Sequence, residues 1–199
     1  MHTYTTNPSL LAYVKGRKAW QQLSSCRLLV SVGRPYHEGE KLDAALSWAN
    51  QNFQEGILTM GDVLHRHNYI ADGFSPLEAY AISKKDGDLW LERNQEKLRS
   101  LSIPYRVVRW EHWLQHEEFP GRLEKVNRLF QENETFEAAI HEDIDRFIRS
   151  QQKNRILTPD MEKRIRENGV RFLLEETAIC SLWVEENKAV DVYPGSEIK

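Results

Sequence analysis

The sequence predicts an α/β protein in which a mainly parallel sheet is flanked by helices. Short apolar segments of strand length alternate along the chain with segments of helical periodicity, and parallel strands need such crossover helices. The chain has 199 residues and a mass of 23.4 kDa, the size of one domain with a substantial core. It contains no internal repeat, linker or low-complexity tract, so residues 1–199 are interpreted as a single domain.

The first predicted strand, Ser25–Val32, is almost continuously apolar, as expected for a strand buried on both faces of a parallel sheet. Gly33 and Pro35 end it. Four further strands are predicted at Gly56–Gly61, Tyr105–Trp110, Ala178–Val184 and Ala189–Tyr193. A short polar segment separates the last two and is typical of a turn.

Helices are predicted between these strands. Lys41–Phe53 has its apolar residues at the spacing of one helix face. Ser75 and Glu78 form a capping box with a proline at the first helical position, so a helix begins there and continues toward Arg99, with a weak point at Gly87. Further helical segments are predicted at Pro120–Gln152 and after the Thr158-Pro159-Asp160 cap.

The charge of the chain is modest overall but unevenly distributed. A formal net charge of −3 gives no general attraction to nucleic acid. Between Arg146 and Arg166, however, seven basic residues stand against only Asp160 and Glu162. This segment fits either a phosphate-bearing partner or an ordinary solvated helix surface.

Several classes of protein are excluded by the composition. No apolar run approaches the roughly 20 residues of a membrane span, and the N-terminus lacks the basic-then-apolar order of a secretory signal. Cys26 and Cys180 both lie in predicted strands and provide neither a disulfide framework nor zinc-ligand spacing. We therefore expect a cytoplasmic protein with reduced thiols and no membrane contact.

Ser31 is the first candidate for chemistry, because it lies at the carboxyl end of an early strand, where ligands bind to parallel sheets. By its position alone it is more typical of a turn serine that closes a strand. The surrounding residues are not the Gly-x-Ser-x-Gly elbow of hydrolases, and no glycine-rich nucleotide loop occurs. His112 and His116 lie one helical turn apart without a third ligand, so no metal site is predicted.

The segment Val30–Gly39, which reads Val-Ser-Val-Gly-Arg-Pro-Tyr-His-Glu-Gly, resembles the nucleophile segment of cyclodipeptide synthases. Two further motifs support the resemblance. Phe172–Glu176 is similar to the family's tyrosine and glutamate four residues apart on one helix, and Tyr193-Pro194 is similar to its C-terminal tyrosine motif. The family has two branches, which differ in the residue three positions after the nucleophile and in the C-terminal tyrosine motif. With Arg34 at the first position and Tyr193-Pro194 at the second, the chain looks like the branch that has a variable residue and Tyr-Pro.

The resemblance implies a Rossmann-like fold related to the catalytic domain of class I aminoacyl-tRNA synthetases. It also implies an aminoacyltransferase of secondary metabolism, which joins two aminoacyl groups taken from charged tRNAs into a cyclic dipeptide, a 2,5-diketopiperazine. Because the substrate esters are already activated, no cofactor and no metal is expected. The aminoacyl-tRNAs are the expected partners, and a monomer is preferred.

The resemblance assigns roles to individual residues. Ser31 becomes the nucleophile that forms an acyl-enzyme, and Gly33 permits a turn whose N–H groups face the developing oxyanion. Glu176 is expected to anchor the substrate ammonium and to take its proton, unless it is a surface helix glutamate like its neighbour Glu175. Tyr193 is expected to orient Ser31 and relay protons. No histidine or lysine in the sequence stands in an obvious triad relation to Ser31.

The family's substrate-binding positions also carry over to this chain: Leu29, Thr59, Gly61, Phe172, Ile179 and Cys180. Two of them depart from the family pattern. Leu29 replaces a glycine, which narrows the pocket for the first aminoacyl group and suggests a small amino acid. Phe172 replaces a tyrosine, which removes a hydroxyl expected to bind the substrate amine.

Binding of tRNA requires basic residues that contact phosphates. The resemblance places them on the helix that follows the capping box: Lys84, Lys85, Arg93, Lys97 and Arg99. The Arg146–Arg166 segment and Lys15, Arg17 and Lys18 are expected to share this work. Two alternatives stay open, a non-catalytic tRNA-binding module with a synthetase-like fold and a serine acyltransferase or hydrolase that acts without tRNA.

Overall fold

The structure, a computed structural model, describes residues 24–34, 37–186 and 189–192. Four strands form one sheet: β1 (Ser25–Val30), β2 (Glu55–Met60), β3 (Tyr105–Arg109) and β4 (Val190–Val192). The order is β3-β2-β1-β4, and all three neighbouring pairs are parallel. The helices are α1 (Gly39–Asn52), α2 (Arg66–Ala71), α3 (Pro76–Arg93), α4 (Gln95–Leu98), α5 (Trp110–Leu114), α6 (Phe119–Glu132), α7 (Glu134–Gln152) and α8 (Pro159–Glu186). The predicted fold class, a parallel α/β fold, is confirmed.

The described chain divides into two compact units. The sheet unit contains the described residues up to Gly61, the range Asp86–Trp110 and strand β4. The helical unit contains Asp62–Lys85 and Glu111–Glu186. The interpretation of residues 1–199 as a single domain stays a prediction.

The core of the sheet unit is built from β1, β2 and α1. Strand β1 pairs with β2 in register from Ser25 opposite Glu55 to Val30 opposite Met60. Helix α1 buries Leu42, Ala45, Leu46 and Ala49, which confirms the helical periodicity predicted for this segment. Arg27 of β1 is 1% exposed and is neutralised by Asp191 of β4, with 2.6 Å between Nη1 and Oδ1. This pair links the last strand to the first.

Helix α3 begins at the predicted capping box. The Ser75 hydroxyl accepts a hydrogen bond from the Glu78 N–H at 3.3 Å, and the Glu78 carboxylate accepts one from the Ser75 N–H at 3.1 Å. The helix continues through the buried Gly87, as predicted, and is interrupted at Asn94. The fully buried Trp90 lies on the same helix. Packing of that side chain outweighs the cost of one glycine, about 1 kcal/mol.

The helical range predicted at Pro120–Gln152 consists of two helices. Asn133 separates α6 from α7 and caps α7, since its side-chain oxygen accepts a hydrogen bond from the Phe136 N–H at 2.9 Å. At the crossing of α7 and α8, a Cβ added to Gly169 would lie 3.0 Å from Cγ1 of Ile144. The two helices therefore approach closely at this glycine.

The strand predicted at Ala178–Val184 is wrong, because these residues belong to α8. Ala178, Ile179 and Leu182 are buried at helical spacing. A short apolar run cannot be assigned to a strand or a buried helix by periodicity alone, and no proline stops the helix between Asp160 and Glu186. Cys180 is consequently a helix residue, whereas Cys26 lies in β1 as predicted. None of the described helices combines the length and apolarity required to cross a membrane.

Candidate active site

Ser31 directly follows β1 and lies at the carboxyl end of the sheet, half-buried. A hydrogen bond of 2.8 Å from the Gly61 N–H to the Val30 carbonyl extends the β1–β2 pairing to this point. The chain then turns, and the Arg34 N–H donates to the Ser31 carbonyl at 3.3 Å. Gly33 has φ +79°, a left-handed conformation that glycine adopts without steric cost. The predicted turn at Gly33 is confirmed.

His37 is a residue of this turn that sequence reasoning missed. Its Nδ1 accepts the backbone N–H of Ser31 at 2.6 Å, and its own N–H donates to the Arg34 carbonyl at 2.9 Å. The side chain is 0% exposed. A nitrogen that accepts a hydrogen bond carries no proton, so this geometry requires the neutral ring with its hydrogen on Nε2. The only signal in the sequence is a histidine six residues after the candidate nucleophile.

The hydrogen bonds of the turn restrict which amides could face an oxyanion. The N–H of Ser31 is engaged by His37, and the N–H of Arg34 is engaged by the Ser31 carbonyl. Within the described part of the chain, neither Val32 nor Gly33 donates its N–H to a turn or loop acceptor. If N–H groups of this turn face an oxyanion, as expected from the sequence, the candidates are those of Val32 and Gly33.

Three of the expected substrate-binding residues adjoin Ser31 within the sheet unit. Leu29 lies two residues before Ser31 and therefore on the same face of the strand. Thr59 is the register partner of Leu29 on β2, and Gly61 follows two residues later. Leu29 is half-buried, whereas Thr59 is 1% exposed. The parallel register therefore places Leu29 and Thr59 side by side near Ser31.

The other expected substrate-binding residues lie on α8 in the helical unit. Phe172, Glu176, Ile179 and Cys180 are spaced as one helix stripe. Phe172 and Glu176 are half-buried. The ring of Phe172 contacts two histidines edge-on, with centroid distances of 5.8 Å to His65 and 6.5 Å to His67. The helix thus aligns these residues even though part of the segment was predicted as a strand.

Glu175 is not the surface glutamate that its sequence position suggested. It is 5% exposed, and both of its oxygens accept hydrogen bonds from Arg66, one of them at 2.8 Å from Nη1. His67 contacts the same carboxylate at 3.2 Å through Nε2. Burial alone would raise the pKa of Glu175, but the hydrogen bonds from His67 and Arg66 outweigh it and hold this pKa below its usual value. Glu175 therefore has a structural role as the buried partner of Arg66 and His67, whereas Glu176 is the glutamate with accessible surface.

Three of the five basic residues expected to bind tRNA are paired with carboxylates. Salt bridges join Lys84 to Glu111 at 2.9 Å, Arg93 to Glu38 at 3.1 Å and Lys97 to Asp43 at 2.6 Å. Lys85 and Arg99 are exposed and form no salt bridge with any residue that the structure describes. Within the described residues, no carboxylate pairs with these two side chains, so both are available to bind a phosphate.

The Arg146–Arg166 segment is also partly neutralised. Its salt bridges join Arg146 to Asp143, Arg155 to Asp72 and Arg166 to Asp145. Tyr193, Pro194, Lys15, Arg17 and Lys18 lie outside the described residues. Among the residues within the described ranges, no group of three or more histidines, cysteines or acidic residues could hold a metal ion.

Comparison with known proteins identifies the family. The cyclodipeptide synthase family matches residues 15–185. A cyclodipeptide synthase from Fluoribacter dumoffii is 31% identical, with a TM-score of 0.82 over 90% of this chain and 80% of that one. A cyclo(L-leucyl-L-phenylalanyl) synthase is 21% identical, with a TM-score of 0.67 over 89% of this chain and 80% of that one.

A Mycobacterium tuberculosis protein extends the likeness of fold. It is 16% identical, with a TM-score of 0.58 over 80% of this chain and 67% of that one, and its structure was described as relating cyclodipeptide synthetases to type I tRNA synthetases. No curated protein matches the sequence significantly. The family match spans most of the chain, and the Fluoribacter structure shares its fold at appreciable identity. The chain belongs to the cyclodipeptide synthase family.

Proposed function

We propose that this protein forms a cyclic dipeptide from two aminoacyl-tRNAs through an acyl-enzyme on Ser31. The observation that carries the proposal is the position of Ser31, on a tight turn at the carboxyl end of β1, in a chain of this family. We further propose that it belongs to the branch of the family with the Tyr-Pro motif, which Arg34 and Tyr193-Pro194 support. Charged tRNAs are the substrates, so the cytoplasm is the proposed location.

In the first step, Oγ of Ser31 attacks the ester carbonyl of one aminoacyl-tRNA. The bond to the ribose oxygen breaks, that oxygen takes the proton, and the aminoacyl group remains on the serine. The vicinal ribose hydroxyl assists the proton transfer. The N–H groups of Val32 and Gly33 are the proposed donors to the tetrahedral oxyanion, since those of Ser31 and Arg34 are already engaged.

Two aminolysis steps complete the reaction. The amine of the acyl-enzyme attacks the ester of the second aminoacyl-tRNA and releases the second tRNA. The new terminal amine then attacks the Ser31 ester, which closes the diketopiperazine ring and restores the hydroxyl. Each amine must first lose a proton, and we assign this role to Glu176, the accessible member of the Glu175-Glu176 pair. Tyr193 is proposed to orient Ser31 and relay protons.

The first aminoacyl group is proposed to be small. Leu29 stands where the family has glycine, on the strand face that leads to Ser31, so its side chain narrows the space beside the nucleophile. The hydroxyl of Thr59 faces the same way and has no hydrogen-bond partner among the described residues. A small aminoacyl group therefore fits this pocket better than a bulky one.

The test uses purified protein and tRNA charged with a radiolabelled amino acid. The wild-type protein should retain label covalently after denaturation, and a Ser31→Ala variant should retain none. Label that still attaches to this variant would contradict the assignment of Ser31.

The medium of expressing cells, analysed by mass spectrometry, should contain a diketopiperazine. Binding of charged tRNA without any product would instead indicate a non-catalytic module, and activity that survives nuclease treatment would indicate a hydrolase or acyltransferase.

A further inference from the structure

We propose that His37 is a positioning residue, whose neutral imidazole holds the backbone amide of Ser31 and thereby fixes the nucleophile on its turn. The inference rests on the proposed function, since it assumes that Ser31 is acylated. It adds to the family motifs a residue that touches neither substrate nor the serine hydroxyl.

The geometry is a clamp of three hydrogen bonds within the sheet unit. The Arg34 N–H donates to the Ser31 carbonyl at 3.3 Å, and the His37 N–H donates to the Arg34 carbonyl at 2.9 Å. The His37 side chain closes the loop through the 2.6 Å bond from the Ser31 N–H to Nδ1. His37 lies two residues before α1 and is fully buried, so packing around the ring restricts its movement.

The Ser31 amide needs such an acceptor because its strand has ended. The Val30 carbonyl accepts a hydrogen bond from Gly61 of β2, so the Ser31 N–H of the same trans peptide points to the opposite side of β1. On that side the described pairing with β4 ends at Leu28, and the ring nitrogen of His37 is the acceptor of the Ser31 N–H. A buried N–H without an acceptor costs about 1–3 kcal/mol, so the peptide would rotate to find one. That rotation would carry the Ser31 side chain with it, and a displacement of about 1 Å can slow a reaction about 100-fold.

The same hydrogen bond excludes His37 as the general base for Ser31. The lone pair of Nδ1 is directed at the backbone N–H, and in the neutral ring the other nitrogen carries the hydrogen. Neither nitrogen can then take the proton of the serine hydroxyl. The role of His37 is therefore to hold the turn.

The experiment compares His37→Asn with His37→Gln by single-turnover acylation of Ser31. The amide oxygen of asparagine is attached to Cγ, as Nδ1 is, and can accept the Ser31 N–H, whereas that of glutamine lies one bond farther out. We expect acylation by the asparagine variant within about tenfold of wild type, the value of one ordinary hydrogen bond. The glutamine variant should be about 100-fold slower, with the Kd for aminoacyl-tRNA unchanged in both.

Equal rates for both variants and the wild type would overturn the inference, and so would equal losses in both. If the glutamine variant does not fold, ¹⁵N NMR of the histidines in the wild-type protein decides, because the inference requires an unprotonated Nδ1 on His37. A protonated Nδ1 would overturn it. A wild-type protein that is not acylated on Ser31 would instead refute the proposed function, which keeps the two failures apart.

Discussion

Glu175 and Glu176 are adjacent in sequence but have opposite surroundings. The Glu175 carboxylate is buried against Arg66 and His67, whereas Glu176 keeps accessible surface on the stripe that includes Phe172. Successive helix residues point about 100° apart, so only one of two neighbours can face a given cluster. Their adjacency therefore provides a matched pair of variants, one that tests stability and one that tests chemistry.

Glu175→Gln should destabilise the protein in a pH-dependent way. The pKa of Glu175 lies below its usual value of 4.5, so the ion pair contributes stability above pH 4.5. The contribution is lost as the pH falls below 4.5 through the folded-state pKa. Near neutral pH, the variant should lose on the order of 2 kcal/mol of unfolding free energy, the value of hydrogen bonds to a charged group.

Urea unfolding at several pH values measures this effect, and the difference between wild type and variant should shrink toward acid. A difference that stays constant with pH would show that the charge of Glu175 is unimportant. Glu176→Gln is the matched control, which should form no cyclic dipeptide and should lose less stability than Glu175→Gln because Glu176 keeps accessible surface. Full product formation by the Glu176 variant would refute its proposed role.

At the scale of elements, α8 shows where local patterns mislead. The apolar run Ala178–Val184 has strand-like composition, yet it continues a helix that began at Pro159. Ala178, a buried residue of this stretch, belongs to a hydrophobic cluster with Ala71 of α2, Val126 of α6 and Ile144 of α7. Contacts with helices distant in sequence thus decided a segment whose own periodicity was ambiguous.

The crossing of α7 and α8 provides the element-scale prediction. Gly169→Ala should destabilise the protein by about 1 kcal/mol, because the strain of overpacking against Ile144 exceeds the gain in helix propensity. Combining it with Ile144→Ala, which removes the Cγ1 atom, should cost less than the sum of the two single variants. Thermal or denaturant unfolding of all four proteins measures the coupling. Strict additivity, or a more stable Gly169→Ala variant, would show that Ile144 moves aside freely.

At the scale of the whole molecule, salt bridges leave fewer basic residues available to bind phosphates than the sequence suggested. Lys85 should contribute more to tRNA binding than its neighbour Lys84, which forms a salt bridge with Glu111. In Lys85→Gln, the slope of log K against log salt concentration for tRNA binding should fall by about 1. Lys84→Gln is the matched control and should change the slope less. Filter binding over a salt series measures both, and equal slopes for wild type and Lys85→Gln would exclude a phosphate contact by Lys85.

Sequence patterns were sufficient to predict the parallel α/β class, the first three strands, the cap at Ser75 and the position of Ser31 at a strand end. These features depend on hydrophobic periodicity and turn residues, which act over a few neighbouring positions. The tertiary structure alone decided that His37 holds Ser31, that Glu175 is buried and that Lys84 is neutralised. Each of these depends on where a side chain finds its partner, as in the bond between Arg66 and Glu175 across 109 positions. Such pairings leave no local pattern, because the folded chain, and not the spacing of residues, brings the partners together.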